Sequence, residues 1–265
     1  MQRAAFGTLH DKLETVREPL LRVGIDTFHV DLDTNRFGTF TGTVTRPGTQ
    51  LETAVAKALE SARIGRCSIG IGSEGAFGPD PVVGLVGVGV ELVALVDHRR
   101  LHPVVGRDAS HHTNFASCMA RDLTQARAFA ARVGAPNHGL IAYVDERSIE
   151  IRDPATDLAE LLAAHHVIRL ESDMRAHRNP TRMAAIRRAA LDLAEHLRIE
   201  CSGCGRFGAS NLQPRPGLPC SVCAEPTERV LVIDACCSWC DAPMPLPPRH
   251  GLDAADPGEC PYCNP

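Results

Sequence analysis

The sequence predicts an α/β protein. A mixed or parallel sheet flanked by helices is expected over residues 1–199, followed by a small cysteine-rich module over 200–265. Three observations predict it. Short apolar stretches of strand length alternate with amphipathic helical stretches along the first two hundred residues. A well-marked helix start, Asn179 followed by Pro180, closes that region. Four Cys-x-x-Cys pairs then crowd into the remainder.

The elements follow in order. Leu13, Val16, Leu20 and Val23 form a helical stripe, interrupted by Pro19 and ended by Gly24. Residues 28–32 read as a strand. Residues 51–63 read as a helix with Leu51, Val55 and Leu59 on one face. Short buried strands are expected at 67–71 and 90–96. A helix at 123–133 is stopped by Gly134 and Pro136. A strand at 140–144, a helix at 158–165 and an extended stretch at 166–170 come next. The last helix, capped by Asn179, carries Met183, Ile186, Ala190, Leu193 and Leu197 on one face, and the domain boundary falls near residues 198–200.

Composition narrows the function. The apolar share of 44% and charged share of 23% are those of a globular chain. No apolar run reaches the roughly 18 residues that cross a bilayer, so no membrane partner is expected. The start carries no secretory pattern, which makes a cytoplasmic location the expectation. The net charge of −4 does not attract nucleic acid. Within 200–265 four arginines face eight acids, and each zinc with four thiolates would add about −2. A phosphate backbone is disfavoured there. Of the 28 basic residues only Lys12 and Lys57 are lysines, which marks both as positions where a compact ammonium is needed; the plainer reading is a solvated helix face.

The cysteine pairs are Cys201/Cys204, Cys220/Cys223, Cys237/Cys240 and Cys260/Cys263. Two thiolates on one tight turn reach a single tetrahedral ion at about 2.3 Å, and a second turn closes the shell. Spacers of 15 and 19 residues favour sequential pairing, first pair with second and third with fourth. The alternative is cross-bracing, first with third and second with fourth. With every ligand a thiolate and no open position, two structural Zn2+ ions are expected. Disulfides are the competing reading. Cys236 is a spare thiol beside Cys237, and Cys67 and Cys118 read as core thiols.

Four polar loops carry the candidate chemistry. Thr8, His10 and Lys12 precede the first helix, where N–H groups and an ammonium suit a phosphate; Asp11 as a simple helix cap is the alternative. The loop 33–42, with Asn35, is crowded with amides and hydroxyls, and Asx turns alone would explain it. The loop 70–79 matches G-x-G-x-x-G formally, but Glu74 would repel a pyrophosphate and the Gly-Pro-Asp-Pro run prevents the helix a dinucleotide site needs. Glu74 instead suits a magnesium ligand. The loop 171–182 offers Asp173 for metal and Arg175, His177, Arg178 and Arg182 for an anion; a structural ion-pair cluster is the alternative.

The stretches His10-Asp-Lys12, 37–42, Ser73 to Pro79, Thr113-Asn114, His138-Gly-Leu140, Asp173 to Arg182, Gly217 to Cys220 and Cys260 to Pro265 together resemble an uncharacterised bacterial family, a domain of unknown function with C-terminal zinc ribbons. That resemblance implies no activity. A weaker one reaches the inosine triphosphate pyrophosphatase-like proteins. Thr8-Leu-His-Asp-Lys12 resembles their opening T-x-N-x-x-K, with the lysine one residue early and His10 for asparagine; a helix, a strand and the acidic glycine-rich stretch at Glu74 follow in similar order. It implies Mg2+-dependent pyrophosphate release from a nucleotide.

The expected function is therefore an Mg2+-dependent nucleotide phosphohydrolase or pyrophosphatase. Lys12 and Arg175 would hold phosphate, with Thr8, His10, Asn35, His177 and Arg182 around the substrate. Glu74 and Asp173 would hold metal, sharing one rim if strands 67–71 and 166–170 are parallel neighbours. The alternative is a non-catalytic module whose zinc ribbons dock a protein partner.

Overall fold

The structure, a computed structural model, describes all residues except 10, 39–44, 81–83, 85 and 146. The chain forms two compact units. The first comprises Met1–Leu95 and Gly106–Ala194, the second Val96–Val105 and Glu195–Pro265. The architecture is mixed α/β with several sheets and, among the described residues, five α-helices.

The first unit opens with β1 (Gln2–Gly7), α1 (Leu13–Leu21) and β2 (Ile25–Val30). β1 lies between β2 and β3 (Ile69–Pro79), parallel to both. β4 (Gly87–Asp97) and β5 (Val104–Ser110) extend the sheet in the order β2-β1-β3-β4-β5. Links this short between neighbours require antiparallel hairpins, since a parallel crossover needs a dozen residues or more. The sheet is therefore parallel on one side and antiparallel on the other.

A second sheet in the same unit has the order β6-β9-β7-β8, from β6 (Ser117–Ala120), β7 (Leu140–Val144), β8 (Arg147–Ile151) and β9 (Ile168–Ser172). Helices α3 (Leu123–Val133) and α4 (Asp157–Ala164) cover it, burying Phe129, Val133 and Leu158 against Leu140, Ile168 and Leu170. The helix start at Asn179 forms as expected. Its side chain accepts from the Arg182 amide and α5 (Pro180–His196) follows.

Helix α2 (Gln50–Gly65) starts with a capping box between Thr49 and Glu52. Its orientation overturns one expectation. Leu51 and Leu59 are 45% and 42% exposed, while Thr53, Ala54, Lys57, Ala58, Ser61 and Ala62 are buried. The partner strand explains it. A Cβ on Gly70 would collide with the Ala58 carbonyl, and one on Gly72 with the Ala54 carbonyl. Helix and strand touch backbone to backbone, so the buried face must be the narrow one, not the greasy one.

The same contact corrects the reading of 70–79 as a loop. Those residues lie in β3. Their glycines serve close helix packing rather than a turn, and Glu74 sits inside the strand. The strands holding Glu74 and preceding Asp173 are not parallel neighbours either. β3 and β9 belong to different sheets, and β9 pairs antiparallel with β6 and β7.

The second unit is built on β10 (Ala209–Pro216) and β11 (Val230–Cys237), an antiparallel pair with cysteine turns at its ends.

Candidate functional site

The four Cys-x-x-Cys turns share one backbone design. In each, the amide following the second cysteine donates to the carbonyl of the first: Gly205 to Cys201, Ala224 to Cys220, Asp241 to Cys237 and Asn264 to Cys260, at 2.8–3.0 Å. Gly205, Ala224 and Asp241 take left-handed φ values of 67°, 62° and 60° to close it. The turn leaves amides pointing at sulfur, as Trp239 N–H does at Cys237 Sγ.

These turns converge in two groups, Cys201/Cys204/Cys237/Cys240 and Cys220/Cys223/Cys260/Cys263. The pairing is cross-braced, first with third and second with fourth, not sequential. The reason lies in the spacer. Residues between Cys204 and Cys220 form strand β10 rather than a loop, and its eight residues span about 25 Å at roughly 3.3 Å each. The strand carries the second pair away from the first, and β11 returns the third pair to it.

The donor set fits zinc. Sulfurs lie 3.8 Å apart for Cys201 and Cys240, 3.7 Å for Cys204 and Cys237, 3.9 Å for Cys220 and Cys263, and 3.5 Å for Cys223 and Cys260. A tetrahedron with bonds of about 2.3 Å has edges of about 3.8 Å. The electrostatics also ask for a cation. Amides of Cys204 and Gly203 bring the Cys201 thiol down to about 7, and those of Cys223 and Val222 do the same for Cys220. The neighbouring Cys223 sulfur, with burial and the other two, pushes Cys263 up to about 12. Four thiolates cannot ionise together so close without a metal between them.

The first unit holds a second notable cluster. Both lysines of the chain are buried in it. Lys12, at the N-terminal edge of α1, donates from Nζ to Ser73 Oγ at 2.8 Å. It makes no side-chain cap of its helix. Lys57 reaches from α2 to Glu74 Oε2 at 2.5 Å. Arg46 takes the other oxygen, Oε1, at 2.9 Å. Arg182, on the first turn of α5, donates to Glu91 Oε1 at 2.6 Å and to the Met174 carbonyl. Lys12, Lys57, Arg46 and Arg182 thus gather around two carboxylates, Glu74 and Glu91, with Arg46 about a third exposed and the others buried. Burial first, then Arg182, brings Lys12 down to about 7, with Glu91 opposing.

A model of the domain of unknown function DUF6671 matches residues 57–265. The chain belongs to the DUF6671 family. No curated protein and no solved structure matches it. The DUF6671 match takes in both cysteine groups, Lys57, Glu74, Glu91 and Arg182, and begins after Lys12 and Arg46.

In this DUF6671 protein the anticipated residues divide. Lys12, Glu74 and Arg182 come together, Lys12 sensing both of the others. Asp173 and Arg175 satisfy each other: the Asp173 carboxylate is fully buried and accepts from Arg175 Nε at 2.9 Å and Nη2 at 2.6 Å. Arg175 also reaches Glu150 at 2.8 Å, and Asp173 first, then Glu150, holds its guanidinium charged more firmly than usual. This is an ion-pair network with its donors committed. His177 lines a separate open groove with Thr15, Pro180 and Met183. Asn35 is exposed in a 3-10 turn and its amide donates to Asp33, an Asx turn. Thr8 is buried, its carbonyl 3.0 Å from His29 Nε2. His10 lies outside the described residues, as does most of 37–42.

Glu91 escaped the sequence reading. It is 1% exposed, and its Oε2 has no hydrogen-bond partner among the described residues. The signal was present: one carboxylate interrupts the otherwise apolar run 90–96. With Arg182 it also lines a narrow depression, of about 10 Å3, that opens past Phe77, Ser110, His112 and Thr181.

Proposed function

We propose that the first unit binds a phosphorylated small molecule at the Lys12–Lys57–Arg182 cluster, and that the second unit is a structural module holding two zinc ions. The gathering of cations carries the anion reading: burial and the neighbouring Arg182 drive the Lys12 ammonium toward its neutral form, and a phosphate bound among these cations would restore its charge. The depression at Glu91 and Arg182 is narrow, with room for about one water-sized group, so a phosphate would meet it from outside, with the rest of the ligand in solvent. A nucleotide is the favoured bearer of that group, in keeping with the resemblance to inosine triphosphate pyrophosphatase-like proteins.

Hydrolysis of a phosphoanhydride is the activity to test. The carboxylate suited to orient water or meet Mg2+ is Glu91, whose Oε1 is held by Arg182 but whose Oε2 has no hydrogen-bond partner among the described residues, rather than Glu74 or Asp173, both of whose oxygens are held by cations.

The experiment is calorimetric titration of the full chain with pyrophosphate and nucleoside triphosphates, with and without Mg2+, together with a phosphate-release assay. Binding should weaken at least tenfold in Lys12→Met. No binding at millimolar ligand, or a Lys12→Met protein that binds like the parent, overturns the reading.

A further inference from the structure

Cys236 stood out in the sequence as a thiol beyond the eight paired ones. In the second unit it meets His102 and Asp241, and the donor atoms of the three lie within 4.8 Å of one another. His102 Nε2 is 2.8 Å from Asp241 Oδ1. The three residues come from different segments: the link between β4 and β5, the end of β11, and the position after Cys240.

Backbone contacts hold the arrangement. The amides of Leu101 and His102 both donate to the Ser238 carbonyl, at 2.8 and 3.2 Å, inside the Cys237–Cys240 turn. The Arg100 guanidinium stacks on the Trp239 ring at 4.3 Å and donates to the Phe207 carbonyl. The β4–β5 link is thereby pinned to the turn that carries Asp241. On the other side the ladder of β10 and β11 shifts register between Ser210 and Gln213. Asn211 lies in that shift, with a φ of 54°, and its Nδ2 is 3.3 Å from Cys236 Sγ. Such irregularities aim a side chain that a regular ladder would direct elsewhere.

We propose that His102, Cys236 and Asp241 form a third metal site, distinct from the two four-cysteine groups, that takes a borderline divalent ion such as Zn2+ or Co2+. The ligands are one imidazole nitrogen, one thiolate and one carboxylate oxygen, all accepted by zinc. With imidazole neutral, two anionic ligands balance the ion's two charges, so the site is neutral where each four-cysteine site carries about −2. Coordination releases the Cys236 thiol proton to solvent and changes no oxidation state. Three protein ligands leave a fourth position for water, and Asp241 is 62% exposed, so that position opens to solvent. This is the pattern of an exchangeable or reactive zinc site rather than a structural one.

The test is native mass spectrometry of the full chain, purified without chelator and titrated with Zn2+, with Co2+ absorption as a second readout. Three ions should bind in zinc excess, the third leaving first on mild chelation. Its cobalt form should show a thiolate charge-transfer band weaker than either four-cysteine site, from one sulfur instead of four. His102→Ala removes a ligand without touching a cysteine turn; it should bind two ions, the pair retained showing the module intact. Cys236→Ser should do the same. A stoichiometry of two in zinc excess, or a third ion that survives both substitutions, overturns the proposal. Neither outcome depends on phosphate binding in the first unit.

Discussion

Lys57 Nζ lies 2.5 Å from Glu74 Oε2 where α2 crosses β3, and both side chains are more than nine-tenths buried. The pair sits beside the glycines that let helix and strand touch, so neither partner can swing out to water without opening that contact. Glu74→Gln leaves the Lys57 ammonium buried without its counter-charge. Losing one partner of a buried pair costs about 3–5 kcal/mol. Urea unfolding followed by circular dichroism should show that loss. Because Lys57 and Arg46 already neutralise Glu74, millimolar Mg2+ should leave the melting temperature of the parent unshifted at this carboxylate.

Lys12 has a pH signature. Its folded pKa is near 7 against an ordinary 10.5. Between those values the unfolded chain holds a proton that the folded chain has lost, so stability rises with pH across the window. Below pH 7 the destabilising contribution of the buried ammonium is present in full; above 10.5 it is gone. Lys12→Met should flatten this dependence and raise the melting temperature at neutral pH. A bound phosphate would favour the charged amine, so its affinity should fall as pH rises above 7, by up to about tenfold per unit.

Cross-bracing is testable by paired substitution. Cys201→Ser with Cys237→Ser removes two ligands of one group and should cost one zinc. Cys201→Ser with Cys220→Ser damages both groups and should cost two. Sequential pairing would reverse these results, and metal analysis of the two double variants separates the cases.

The narrow face of α2 predicts unequal tolerance. Leu59→Glu lies on the exposed side and should change stability within about 0.5 kcal/mol. Gly70→Ala drives a methyl into the Ala58 carbonyl and should destabilise by at least the ~1–3 kcal/mol of an overpacked core. Thermal melting of the two variants side by side checks the orientation of the helix.

The sequence by itself determined the four-thiol turns of the second unit and their fitness for zinc, because two thiols on one tight turn are a local property and Cys-x-x-Cys spells it out. It also marked Lys12 and Lys57, since a lysine kept among 26 arginines is visible without coordinates, and it marked the capped start of α5 at Asn179. It showed the alternation of helix and strand but not the order of the strands. Only the tertiary structure decided which turns converge, because pairing depends on whether a spacer folds back or runs out as a strand. Only it set Glu74 inside β3 between Lys57 and Arg46, and Asp173 against Arg175 in another sheet. Such partners meet through sheet order and helix packing, long-range relations that no local spacing encodes. Glu91 shows the same limit: its charge among valines was plain, but the bare oxygen beside Arg182 emerges only when β4 and α5 are brought together.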